Sequence, residues 1–322
     1  MNEDERSGLC HDDSEPRQQG MSRYLPLVGQ TRHRAEAACK PTSWGLSMNR
    51  LKGCALATAA LVALLATAST LAEQPSAKPV QEVKIPLNYL PFDLKGYLRR
   101  PDGNGPFQAV ILLPICGAFL DSVDQNWGAA IVSWGYVVLT LDVFTARGIK
   151  SGQTCPYPAP PETVEDVYQA LNWLVAQQNI DRNRIFLVGF GRTGTVALST
   201  VERDVATKAK RRFRGAVAFY PACGTNKGVM AAASLVIVGA LDENRFEACR
   251  KMAEGNDDIG ISRQHGEGIP IEFVALPDAY SGFDVPQYQE PVEVHGVHVE
   301  FSKAATERSK EILQRFLRAV GQ

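Results

Sequence analysis

Eight short apolar runs alternate with helical patterns along most of this chain, and that alternation limits its fold more than any other feature. The runs are QEVKIPL, LKGYLRR, FQAVILL, YVVLTLD, RIFLVG, GAVAFY, SLVIVG and IEFVAL. Most of the middle ones are continuous rather than alternating, as strands covered on both faces must be. Helical patterns intervene at DSVDQNWGAAIVSWG, PETVEDVYQALNWLVAQQ, TGTVALSTVERDVATKA and RFEACRKMAEG, and SKAATERSKEILQRFLRAV closes the chain. The helix predicted over Pro161 to Gln178 is the best marked. Val164, Val167, Leu171, Leu174 and Val175 share one face, and acidic residues occupy its first turn. Two opening strands followed by strand–helix alternation predict one α/β domain, with an eight-stranded, mostly parallel sheet flanked by helices. With 322 residues, 45% of them hydrophobic, the chain has enough apolar surface for such a core.

The N-terminal region reads differently. Residues 1–47 are polar and lack hydrophobic periodicity, so they have no means of offsetting the entropy cost of packing. From Met48 the sequence becomes MNRLKGCALATAALVALLATASTLAEQ, with Arg50 and Lys52 ahead of an apolar run. Ala66-Thr67-Ala68 offers a cleavage site, and Ala72 a later one. These are the three parts of a secretory signal peptide. The expectation is translation from Met48, with 1–47 an upstream extension, 48–72 a signal peptide, 73–80 a linker and 81–322 the folded domain. The protein is then periplasmic or secreted, without a stable membrane span after cleavage. The alternative is an uncleaved anchor, since the run approaches the ~20 residues needed to span a bilayer.

Export changes the meaning of the cysteines. Of seven, Cys116, Cys155, Cys223 and Cys249 fall in the mature domain, an even number that suits an oxidising compartment. No C-x-x-C pair occurs among them, and no metal or other cofactor is expected. Pairing of Cys223 with Cys249 and of Cys116 with Cys155 is the expectation, although spacing alone does not fix connectivity. Lys and Arg number 34 against 35 Asp and Glu, a net charge of −1 that gives no general attraction to nucleic acid or acidic membranes. The basic run KAKRRFR, Lys208 to Arg214, is expected as a solvated helix end and loop.

Within RIFLVGFGRTGTVAL, Gly189, Gly191 and Gly194 have the G-x-G-x-x-G spacing of a dinucleotide loop. That loop belongs after the first strand of its unit, with an acid ending the next strand; here it follows the fifth run, and the next ends AFYPACG. The same place in an α/β hydrolase carries the nucleophile elbow, G-x-S-x-G. From about Val80 onward the chain resembles the exported branch of the dienelactone hydrolase family. The likeness runs in order through AVILLPICG, GYVVLTLDVFTARG, IDRNRIFLVGFGRTGTVAL, AFYPACG, VIVGALDENRFEACR, LPDAYSGFDVP and VHVEFSKAATERSKEILQRFL.

That resemblance implies an ester or lactone hydrolase with an altered triad. Matching the family's G-[FW]-[SC]-x-G-G-x-x-A-L puts Gly191 at the nucleophile position and Thr193 at the last glycine of the elbow. Matching A-Y-H-x-F-D to AYSGFD puts Ser281 at the base position, and VGALDE puts Asp242 at the acid. Pro114-Ile115-Cys116-Gly117-Ala118 stands where H-G-C-G-G is common, so the backbone N–H groups of Cys116 and Arg192 would outline an oxyanion pocket. Glycine cannot attack, and a serine hydroxyl cannot act as a base near neutrality. Glycine also relaxes an elbow, whereas Thr193 is expected to crowd it and open it slightly. Two readings follow: a binding protein that no longer hydrolyses, or a weak hydrolase using Cys116 or Thr193 as substitute nucleophile. His295 and His298, in VHGVH, could supply a base or half a metal site, but a structural role is the stronger expectation.

Overall fold

Strand pairing follows the apolar runs. A computed structural model describes residues 79–116, 119–149, 159–255 and 267–322; the upstream extension, the signal segment and Cys155 lie outside them. The runs form β1 (Gln81–Pro86), β2 (Asp93–Arg99), β3 (Phe107–Leu113), β4 (Val137–Asp142), β5 (Ile180–Phe190), β6 (Gly215–Phe219), β7 (Ala233–Gly239) and β8 (Ile271–Leu276). They make one sheet in the order β1-β2-β4-β3-β5-β6-β7-β8. β2 runs antiparallel to β1 and β4, and every pairing from β4 across to β8 is parallel.

Continuous hydrophobicity in the central strands serves two cores. Ile111 and Leu113 face one of them, beneath α3 (Thr163–Val175) and α4 (Arg192–Val201). Val110 and Leu112 face the other, with Trp127, Ile131 and the apolar side of α7 (Lys303–Val320). Each such fully buried side chain contributes about 1.5–3 kcal/mol, so both faces are needed to hold the layers together. Val167, Leu171, Leu174 and Val175 of α3 are buried as their spacing predicts.

Three local features depart from the helical and strand patterns. The segment after β3 is two short helices, α1 (Leu120–Val123) and α2 (Ala129–Ser133), joined by a π-helical turn over Asp124–Gly128. The helix predicted after the glycine loop leaves helical geometry at Glu202 (φ −61°, ψ 143°) before α5 (Arg203–Ala206). An unanticipated hairpin pairs β9 (Val292–Val294) with β10 (Val297–Val299). Its two turn residues, His295 (φ 52°) and Gly296 (φ 74°), are both left-handed, as a tight hairpin turn requires. Among the described residues, no helix is long and apolar enough to cross a membrane.

Candidate functional site

Gly191 stands between β5 and α4, at the carboxyl end of a central parallel strand, the edge where such sheets form ligand sites. Its φ of 56° and ψ of −117° place it in a region that side chains occupy only under strain. Gly189 answers to a different need: a β-carbon there would stand 2.2 Å from the Thr193 carbonyl oxygen. The glycines therefore make a tight strand-to-helix turn, and their spacing needs no phosphate to explain it.

Thr193 corrects two expectations. It is fully buried, and its hydroxyl lies 2.6 Å from the Leu113 carbonyl oxygen, to which it donates, while accepting from the Phe190 N–H at 3.0 Å. The side chain thus stitches the turn to β3 instead of opening it. Pairing of β5 continues to Leu113↔Gly189 on one side and Phe190↔Phe219 on the other. A hydroxyl so enclosed and so bonded is not placed to attack a substrate. Cys116 is excluded as well, because it is disulfide-bonded and its sulfur is no thiolate. Its expected partner, Cys155, lies outside the described residues. The other expected bridge, Cys223–Cys249, is present and ties the loop after β6 to α6 (Glu243–Glu254).

Ser281 and Asp242 come together across the ends of β8 and β7. The Ser281 hydroxyl, 2% exposed, donates to Asp242 Oδ2 at 2.5 Å. Asp242 also caps α6 by accepting the Arg245 N–H at 3.3 Å, and pairs with Arg245 Nε at 3.1 Å. Arg245 in turn donates from Nη1 to the Tyr220 carbonyl oxygen at 2.6 Å. The carboxylate is ion-paired with Arg245 and hydrogen-bonded by Ser281, with both oxygens engaged.

A cavity of about 170 Å³ opens beside these groups, lined by Ile115, Gly191, Arg192, Ser281, Tyr288 and His295 among others. The space over Gly191 is taken: a β-carbon on it would lie 2.7 Å from Ile115 Cδ1. His295 reaches this cavity from the hairpin turn, whereas His298 stacks on the Tyr280 ring at 3.8 Å and pairs with Glu300 at 3.2 Å. The two histidines are thus engaged separately, and no metal-binding cluster occurs among the described residues.

Beneath the cavity is a polar group that sequence reasoning missed. Asp284 is buried, and its two oxygens accept from Trp127 Nε1 at 2.7 Å and the Tyr220 hydroxyl at 2.6 Å. Burial pushes the Asp284 carboxyl above its ordinary range, and burial together with the neighbouring Asp284 pushes the Tyr220 phenol well above its own. Its only trace in the sequence is the aspartate ending AYSGFD, three residues after Ser281.

The sequence profile of a family described as an alpha/beta hydrolase fold matches residues 154–258, the stretch that holds α3, β5, the Gly191 turn, β7 and Asp242. Solved hydrolases superpose on most of the chain. The chain has the α/β-hydrolase fold. A Klebsiella pneumoniae protein assigned as a dienelactone hydrolase matches 74% of this chain and 98% of its own at a TM-score of 0.56 and 15% identity. The dienelactone hydrolase of Anabaena variabilis matches 76% and 99% of the two chains at 0.53 and 13% identity. An esterase from Pyrobaculum calidifontis matches 76% and 86% at 0.53 and 15% identity. No curated protein matches in sequence. The chain is therefore similar in architecture to dienelactone hydrolases and esterases alike, and at these identities its chemistry must be argued from its own residues.

Proposed function

We propose that this chain is an exported member of the ester and lactone hydrolase class that has given up triad catalysis and binds a small molecule in the old active-site cavity. In this reading Gly191 holds the nucleophile position, Ser281 the base position and Asp242 the acid position. The observation that carries it is the Ser281–Asp242 hydrogen bond, in which a serine hydroxyl occupies the acid that a catalytic base would need. Covalent ester hydrolysis requires a nucleophile, a base to take its proton and an acid to orient the base. Of these only the acid is present, and it is bonded to Ser281 and Arg245.

A ligand for this cavity is small and mostly apolar. Ile115, Val294, Val297 and Val299 form its walls, with Tyr288 and Ser281 offering polar contacts. The N–H groups of Cys116 and Arg192 are the proposed remnant of an oxyanion pocket, suited to a carbonyl oxygen.

Rebuilding the triad tests the assignment. Gly191→Ser and Ser281→His, combined with Ile115→Ala to clear the space, should produce hydrolysis of 4-nitrophenyl acetate that neither single change at 191 or 281 produces. A folded triple variant without activity would count against the assignment. Export is tested by N-terminal sequencing of protein recovered outside the cytoplasm, with a start after Ala68 or Ala72 expected. A native terminus at Met1 in the cytoplasm would overturn it.

A further inference from the structure

The opposite end of the sheet carries a second cavity, and its lining is basic. It occupies about 550 Å³ at the amino-terminal ends of β5, β6 and β7, away from Gly191, Tyr220 and Asp242, which follow the carboxyl ends of those strands. Arg182, Lys210, Arg211, Arg212 and Arg214 line it, and no acidic residue does among the described residues.

Several surface cations elsewhere are held in ion pairs, whereas four of those around this cavity are not. Arg184 pairs with Asp181, Lys227 with Asp204 and Arg250 with Glu247 and Glu254. Arg214 is engaged through the main-chain oxygens of Val320 and Gln322. Arg182, Lys210, Arg211 and Arg212 make no ion pair among the described residues. In a protein with a net charge of −1, like charges gathered around one hollow repel one another, and a bound anion relieves that repulsion.

We propose that this cavity is a binding site for a small multivalent anion of the phosphate type, independent of the cavity beside Gly191. Size separates such a ligand from a polymer. About 550 Å³ lies within the ~300–1,000 Å³ usual for small-molecule sites, and an open recess backed by Ala231, Ala232 and Ala233 has the dimensions of a compact anion. The basic run that reads in sequence as a solvated loop becomes a site because β5 brings Arg182 alongside it.

The test uses the full chain and inorganic tripolyphosphate, followed by titration calorimetry. Binding is expected, weakened about tenfold or more in Arg182→Gln/Arg212→Gln and unchanged in Arg308→Gln, an exposed arginine on α7 that pairs with Glu311. Absence of binding, or binding that the double variant leaves unchanged, would overturn the proposal. So would affinity confined to duplex DNA or to phosphatidylglycerol vesicles, because either would mean a surface for polymers or membranes in place of a small-anion site.

Discussion

Ile115 Cδ1 stands 2.7 Å from the point where a β-carbon on Gly191 would sit, so one side chain fills the place of another's missing atoms. The backbone at Gly191 has the conformation of a tight strand-to-helix turn, with φ 56° and ψ −117°. Gly191→Ser should destabilise the protein by about 2 kcal/mol or more, from left-handed strain and from overlap with Ile115. Adding Ile115→Ala should recover at least about 1 kcal/mol beyond additivity, read as a coupling energy from urea unfolding of the four proteins in the cycle. Additive effects would mean that the two residues do not compete for the space.

Thr193 offers a test of the turn itself. Thr193→Val keeps the shape of the side chain but leaves the buried Phe190 N–H and Leu113 carbonyl without this partner. A loss of about 1–3 kcal/mol in unfolding free energy is expected. A change within measurement error would show that water or a rearranged backbone replaces the hydroxyl.

How far the sequence reaches is visible in these same residues. The apolar runs revealed all eight strands of the main sheet, the central ones most plainly, because burial on both faces leaves a pattern that needs no partner to recognise. The resemblance to dienelactone hydrolases singled out Gly191, Asp242 and Ser281, and the fold bonds Ser281 to Asp242 and sets Gly191 and Ser281 on one cavity. What Thr193 does did not follow: a β-branched residue at a glycine position reads as crowding until the Leu113 carbonyl is seen within hydrogen-bonding reach. The hairpin at His295-Gly296 had a signal in its alternating valines and turn glycine, but a short edge element without a long apolar run is easily passed over. The Asp284 network depends on Trp127 and Tyr220, which are far apart in the chain and meet only after the sheet has formed.

Asp284 gives the protein a pH signature. Burial raises its carboxyl above the ordinary 3.8, so the folded protein keeps this proton after the unfolded chain has lost it. The folded state then binds more protons over the interval from about 3.8 upward, and stability falls as pH rises through it. Asp284→Asn carries no such proton. The unfolding free energy of the natural protein minus that of the variant should therefore decrease with rising pH across this interval, by up to about 1.4 kcal/mol per unit. A difference that grows with pH would mean that the Trp127 and Tyr220 hydrogen bonds outweigh burial.

The central claim, that the Gly191 cavity binds without hydrolysing, is tested most directly by steady-state hydrolysis of 4-nitrophenyl acetate by the purified domain from residue 73 onward. Loss of triad members typically leaves at most ~10³ to 10⁴-fold rate enhancement over water, so any turnover is predicted to stay within that range and to be insensitive to Thr193→Ala. Saturable turnover at rates typical of enzymes, on the order of 1 per second or faster, would contradict the account and require a nucleophile that these residues do not supply.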